Sequence, residues 1–246
     1  MKANGKVRPA TAADMAIIEA WLPKDRSIGT LAANWNLTRE KFSQGRVSVW
    51  EDEISHTPVA YCWGTLNSHD SILEVKPDYR GQGVGRALAE FLVERSVASA
   101  EPLLEIQIAP ESSETFWQTM GFKTYWERDS CYGRRMLKLN RSVPPGTRCP
   151  VTVTFLPMEA SWARDVEPLT VYQLEGVEIP AEGKIALDTA VAHFDLPDGE
   201  DLVVEVAVRG VCLYRDKAKY RAATAVGIQR CENGFIINEV LTGENL

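Results

Sequence analysis

Chemistry in this chain is most concentrated at Leu73-Glu74-Val75-Lys76-Pro77-Asp78-Tyr79-Arg80-Gly81-Gln82-Gly83-Val84-Gly85-Arg86-Ala87-Leu88. The residues read as the end of a strand, a glycine-rich turn and the start of an amphipathic helix. The first N–H groups of such a helix have no partner within it, and the positive end of the helix dipole lies behind them. Gly81, Gly83 and Gly85 put no side chain between that backbone and an approaching phosphate. Arg80 and Arg86 add cationic groups for further phosphates. The expected chemistry is therefore a main-chain cradle for a diphosphate. A P-loop is excluded, because no GxxxxGK followed by Ser or Thr occurs. The dinucleotide fingerprint GxGxxG is also excluded, because Arg86 stands where its third glycine belongs.

Other reactive side chains are scattered. Cys62, Cys131, Cys149, Cys212 and Cys231 are odd in number and form no CxxC pair, and His56, His69 and His193 are far apart. Neither a disulfide framework nor a zinc site is expected, and buried free thiols are the simpler reading.

The elements that must hold the glycine turn follow from periodicity. Val7 to Thr11 reads as an edge strand, and Asp14 to Leu22 as a helix stopped by Pro23. A second helical region covers Leu31 to Phe42. Val47–Trp50, Val59–Trp63 and Ser71–Val75 read as strands, and Val84 to about Val97 as a helix with Val84, Leu88, Phe91 and Leu92 on one face. Leu103–Ile108 is a further strand, Ser113–Met120 a short helix ended by Gly121, and Tyr132–Leu139 a last strand. This is an α/β (α+β) pattern around a mixed sheet over residues 1–140. Asn140 to Thr147 contains Pro144-Pro145-Gly146, so a linker is placed at 141–149. Residues 150–246 are strand-rich: Lys184–Phe194 and Leu202–Val208 are joined by Pro197-Asp198-Gly199, and Ala223–Arg230 and Phe235–Val240 flank the hairpin signal Asn233-Gly234. An all-β barrel or sandwich is expected there.

The 246 residues are 45% hydrophobic and 25% charged, with a net charge of −7. Residues 1–149 carry 19 Lys and Arg against 18 Asp and Glu, whereas residues 150–246 carry 8 against 16. The acidic second half argues against nucleic-acid binding, which relies on a basic face. It would suit a cationic partner, and solubility explains it equally well. Arg215, Lys217, Lys219 and Arg221 follow Asp195, Asp198, Glu200, Asp201 and Glu205, so an exposed hairpin of mixed charge is expected. No apolar run approaches the roughly 18 residues of a membrane span. The N-terminus lacks the apolar core of a secretory signal, so a cytoplasmic location is expected.

With these residues in place, the sequence resembles the GNAT superfamily of acyl-CoA-dependent N-acyltransferases. Arg80-Gly81-Gln82-Gly83-Val84-Gly85 fits the family's Arg/Gln-x-x-Gly-x-Gly/Ala motif. Val7 to Asp14 is similar to its first strand and helix start, and Phe116-Trp117-Gln118-Thr119-Met120-Gly121-Phe122 to its late aromatic-x-x-x-Gly-Phe motif. The likeness covers about 135 residues and implies a mixed, mostly antiparallel sheet flanked by helices. It implies acetyl-CoA as co-substrate and a primary amine as acceptor. The strand ending at Val75 and the strand containing Glu105 would splay apart to admit the pantetheine arm, which would bond to backbone near Leu73 and Val75. The diphosphate would rest on the amides of Gln82, Gly83, Val84, Gly85 and Arg86.

Only about one alkylamine molecule in a thousand is neutral at pH 7, so a proton acceptor assists attack on a thioester. The resemblance implies two candidates, Glu105 on the second splayed strand and His69, six residues before Val75. A histidine is poised near its ordinary pKa, whereas a glutamate needs burial to raise its own. A solvated loop position for His69 and a structural role for Glu105 are the competing readings, with a water chain as a third route. Where the family often keeps a tyrosine to protonate the departing thiolate, this chain has Trp117, whose indole N–H is not a useful acid; Tyr125 is a stand-in. That departure motivates a non-catalytic acyl-CoA sensor as an alternative. An aminoacyl-tRNA-acetylating toxin is a further alternative, and the acidic balance speaks against it. The β-rich half could line the acceptor site or pair two copies as a homodimer. Trp21, Trp35, Trp50, Trp63 and Trp126 read chiefly as packing residues.

Overall fold

In the computed structural model, which describes residues 3–23, 34–67 and 71–242, the chain divides into two units. The first comprises Met1–Ser99 and Leu104–Arg135; the second comprises Ala100–Leu103 and Met136–Leu246.

The first unit begins with β1 (Gly5–Pro9) and α1 (Ala12–Trp21). Thr11 and Asp14 close a capping box that fixes where α1 starts, each side chain satisfying the other's exposed backbone N–H. Arg8 ties this corner to the sheet through Asp14 (2.6 Å) and Glu51 (2.5 Å). Then follow α2 (Trp35–Ser43), β2 (Ser48–Asp52), β3 (Pro58–Trp63), β4 (Ile72–Val75) and α3 (Val84–Ala98). The strands form an antiparallel sheet in the order β1-β2-β3-β4. All six residues of β3 are buried, which is why it reads as a continuous run rather than an alternation. One face of this sheet packs Ile72 and Tyr61 with Met15 and Ile18 of α1 and Trp35 of α2. Val75 points the other way, beside Gly85 and Phe116.

The remaining elements of this unit are β5 (Leu103–Ile108), α4 (Glu114–Thr119), β6 (Lys123–Glu127) and β7 (Ser130–Met136). They build a second sheet in the order β5-β7-β6. The strand β6 lies in a stretch that periodicity left unassigned. Its residues are mostly exposed or half-buried, so no apolar alternation marks it.

The second unit contains β8 (Leu139–Asn140), β9 (Arg148–Leu156), β10 (Thr170–Ile179), β11 (Lys184–Phe194), β12 (Val203–Val208), β13 (Val211–Lys217), α5 (Arg221–Ala225), β14 (Ile228–Cys231) and β15 (Gly234–Leu241). It is an all-antiparallel half-barrel sheet with the order β13-β12-β9-β10-β11-β15-β14 and β8 alongside β11. Alternate residues Val151, Val153 and Phe155 of β9 face a core completed by Leu187, Val204, Val206, Ile228 and Ile237. The proline-rich segment placed at 141–149 runs from β8 into β9, two strands of this one sheet. Arg141 N donates to the Asp188 carbonyl oxygen (2.8 Å).

Two details of this unit differ from the sequence reading. Residues 221–225 are helical where a strand was expected from Ala223, because alanines favour a helix and Gly227, at φ +99°, ends the segment. Gly234 is not a turn residue. Cys231 pairs with Gly234, so the hairpin loop is Glu232-Asn233. The glycine is required because a Cβ at 234 would overlap the His193 carbonyl oxygen and Phe194 on β11. The mixed-charge hairpin is self-paired, Arg215 with Glu205 (2.9 Å) and Lys217 with Asp201 (2.8 Å). Of the thiols expected to be buried, Cys212 is exposed and Cys231 half-buried. Among the described residues no helix is long and apolar enough to cross a membrane.

Candidate active-site cleft

The two sheets of the first unit meet at β4 and β5, which belong to different sheets. Near this junction Glu105 N donates to the Leu66 carbonyl oxygen (2.6 Å). A cleft of about 720 Å³ lies between the strands, walled by Ile72–Val75 on one side and by Ile106 and Gln107 on the other. The turn from Arg80 to Arg86 closes one part, and Phe116 and Trp117 of α4 line another.

Local bonds set the shape of the turn. Tyr79 N and Arg80 N donate to the carbonyls of Lys76 (2.9 Å) and Pro77 (3.1 Å), and Gln82 Nε2 donates to the Asp78 carbonyl (2.7 Å). Gly81 and Gly83 have φ of +73° and +93°, and Gly83 is the N-cap of α3. A Cβ at either position would meet nothing within 4 Å, so the backbone faces open space. That is what a cradle for an anionic group requires. Gly85 differs, since its Cβ would rest at 3.5 Å from Val75 Cγ2 and 3.7 Å from Phe116.

Leu73, Val75, Arg80, Gly81, Gln82, Gly83, Gly85 and Arg86 all line the cleft, and Val84 is buried beneath it. Arg80 folds back over β4: its Nε donates to the Val75 carbonyl (3.0 Å) and its Nη2 to Glu74 Oε1 (2.8 Å). Arg86 is half exposed, with Nη2 3.5 Å from Thr119 Oγ1.

The two sequence candidates for proton acceptor fare differently. His69 lies outside the described residues. Glu105 is buried and does not line the cleft. Its Oε1 accepts from Tyr125 Oη (2.5 Å) and Arg134 Nε (3.0 Å). The Arg134 guanidinium also sits 4.8 Å over the Tyr125 ring. Burial, and then the bond to Glu105, push the Tyr125 hydroxyl above the ordinary phenol range, so it keeps its proton. Trp117 touches Phe116 and Phe122 edge-on, with centroids at 5.0 and 5.3 Å, and reaches the cleft wall.

Glu74 was overlooked in the sequence. It is the one carboxylate among the described residues that line the cleft, and its side chain is only 12% exposed. Burial raises its pKa above the usual carboxylate range, and the Arg80 hydrogen bond and charge work against that rise. The signal available was strand alternation, which puts Glu74 on the face of Ile72.

A family model described as an acetyltransferase (GNAT) domain matches residues 43–124 and leaves the second unit unassigned. Among solved structures, the chain is similar to a GNAT superfamily phosphinothricin acetyltransferase from Sinorhizobium meliloti in complex with AcCoA. The identity is 20%, with 54% of this chain and 88% of that one covered at a TM-score of 0.44. A ribosomal-protein-alanine N-acetyltransferase from Brucella melitensis is 18% identical over 54% of this chain and 99% of its own, with a TM-score of 0.41. A mosquito arylalkylamine N-acetyltransferase like 5b is 14% identical over 55% of this chain and 100% of its own, with a TM-score of 0.43. No match was found among curated proteins.

Proposed function

We propose that the GNAT domain carried by residues 43–124 moves an acetyl group from acetyl-CoA to a primary amine. The observation that carries this reading is the wedge between β4 and β5, with the left-handed glycines and free N-terminus of α3 opening onto it. The amides from Gln82 to Arg86 would hold the diphosphate, with the α3 dipole behind them. The exposed main chain at Leu73 and Val75 would receive the pantetheine arm as a strand would. Acetyl-CoA supplies the activated acyl group.

The chain's own task is to align an amine with that thioester and keep it neutral. Trp117 fills the wall without offering a proton, so the leaving thiolate, with a thiol pKa near 8.5, is left to water or to the acceptor's own proton. Glu105, held by Tyr125 and Arg134, braces β5 against β6 and β7.

Calorimetry with coenzyme A, followed by thiol release from acetyl-CoA across a panel of amines, tests the reading. Micromolar binding and amine-dependent release are expected. Binding with no release from any amine would instead favour a non-catalytic acyl-CoA sensor, the reading that Trp117 supports. Failure to bind coenzyme A would remove both.

A further inference from the structure

The cleft contains a charged pair that a bound diphosphate would disturb. Arg80 lies between the glycine turn and β4, lines the cleft, and spends its donors on Glu74 and the Val75 carbonyl. It is 60% exposed, so it can swing outward at little cost, whereas Glu74 is fixed on its strand. The same guanidinium stands two residues before the amide cradle, whose far end carries Arg86. We infer that Glu74 receives the acceptor's ammonium and takes its proton, and that Arg80 masks it until a diphosphate on the α3 turn draws the guanidinium away. This rests on the acetyl-CoA reading above.

The surroundings of Glu74 support the assignment. Of the described residues that line the cleft, its side chain and those of Arg80 and Arg86 are the ionisable ones. Tyr61, its cross-strand partner on β3, is fully buried, and its hydroxyl has no hydrogen-bond partner among the described residues. The nearby Thr38 hydroxyl accepts from Trp63 Nε1 (3.0 Å) and donates to the Asn34 carbonyl (3.1 Å), so a second lone pair is all it offers the Tyr61 hydroxyl, the weakest influence on that group. Burial, then the Glu74 charge, push the Tyr61 hydroxyl well above the ordinary phenol range, so it is a neutral donor. From α1 and α2, which pack on this face, come Trp21 and Trp35, neither of which titrates, and Lys41, held 5.5 Å over the Trp63 ring. A carboxylate in so apolar a setting binds its proton more tightly once its arginine departs. That is the property a base for alkylamines needs.

The chemistry balances without further reagents. Glu74 takes one proton from the ammonium, and the freed lone pair forms the C–N bond at the thioester carbonyl carbon. The C–S bond breaks with its electron pair on sulfur. The second amine proton passes to that thiolate, directly or through water, and Glu74 returns its own to solvent.

Coenzyme A binding to wild type, Glu74→Gln and Arg80→Gln would be measured calorimetrically near pH 6.5 in two buffers of different ionisation enthalpy, alongside pH–rate profiles. Wild type is expected to take up a fraction of a proton on binding that Glu74→Gln does not, which separates this group from the ligand's own phosphates. In wild type the acidic limb of kcat should lie at higher pH than that of kcat/KM for acetyl-CoA; in Arg80→Gln the two should coincide. Glu74→Gln should lose roughly a hundredfold or more in kcat with an unchanged or higher Tm, since the charged form is the one that burial opposes. Equal proton uptake in wild type and Glu74→Gln, or a kcat for that variant within about threefold of wild type, would overturn the inference while leaving the acetyl-CoA reading intact. Absence of coenzyme A binding in wild type would overturn both.

Discussion

Replacing Gly83 with alanine tests the diphosphate cradle, and Gly85→Ala is its matched control. At φ +93° an L-residue costs roughly 1–2 kcal/mol in backbone strain. For a chain of this size that lowers Tm by about 2–4 °C for each kcal/mol, and a typical folded reserve of about 5–15 kcal/mol absorbs it. The new methyl would clash with nothing in the protein, since no atom lies within 4 Å of it. It would instead stand in the space a phosphate must enter. Losing one or two backbone bonds to an anion, at about 1.5–3 kcal/mol each, weakens coenzyme A binding by at least tenfold, and by a hundredfold or more if both are lost. Gly85→Ala adds a methyl at ordinary contact distance from Val75 and Phe116, in a helical residue. It should gain up to about 1 kcal/mol in helix propensity and keep affinity within about threefold. Calorimetry with coenzyme A and thermal melts on the three proteins give the readout. A Gly83→Ala protein that binds as tightly as wild type would refute the cradle.

Other consequences can be checked independently. Tyr125→Phe removes a 2.5 Å bond to the buried Glu105, so a loss of about 1–3 kcal/mol is expected in urea unfolding, with kcat within a few-fold of wild type. A collapse of kcat at normal stability would return Glu105 to the chemistry. The Asp14 carboxyl is held down at about 2, first by the Arg8 hydrogen bond. Its folded pKa is therefore depressed, and its contribution of about 2 kcal/mol is present above the ordinary aspartate pKa. That contribution is lost as pH falls from about 4 to about 2, so Asp14→Asn should be destabilised at pH 7 and converge with wild type at low pH in denaturant titrations. Gly234→Ala should cost more than about 3 kcal/mol or prevent folding, because a side chain there collides with β11 backbone. Asn233→Ala, in the hairpin loop, should cost less than about 1 kcal/mol, and comparable melts for the two would contradict the pairing of Cys231 with Gly234.

Most of the cationic side chains of the second half meet carboxylates of that same half. Arg215 meets Glu205, Arg230 meets Asp195, and Lys217 and Lys219 share Asp201. Exposed pairs of this kind contribute little to stability each, typically about 0–1 kcal/mol. They give Arg215, Lys217 and Lys219 of the basic run acidic partners within the same unit.

By itself the sequence determined the parts whose physics is local. The turn Arg80 to Gly85 was legible because left-handed backbone and a free helix N-terminus leave a glycine signature within six residues. The helix from Val84 and the strands Leu103–Ile108 and Lys184–Phe194 were legible because their apolar periods are long. Tertiary structure alone decided which carboxylate meets the cleft. Strand alternation puts Glu74 beside Ile72, but it does not say that this face borders the gap between two sheets, nor that Glu105 would be claimed by Tyr125 and Arg134 from strands more than fifteen residues away. Packing also turned Arg80 back onto β4 and made Gly234 a strand residue rather than a turn. Such choices depend on what approaches from elsewhere in the chain, and a contact between distant residues leaves no pattern in either segment alone.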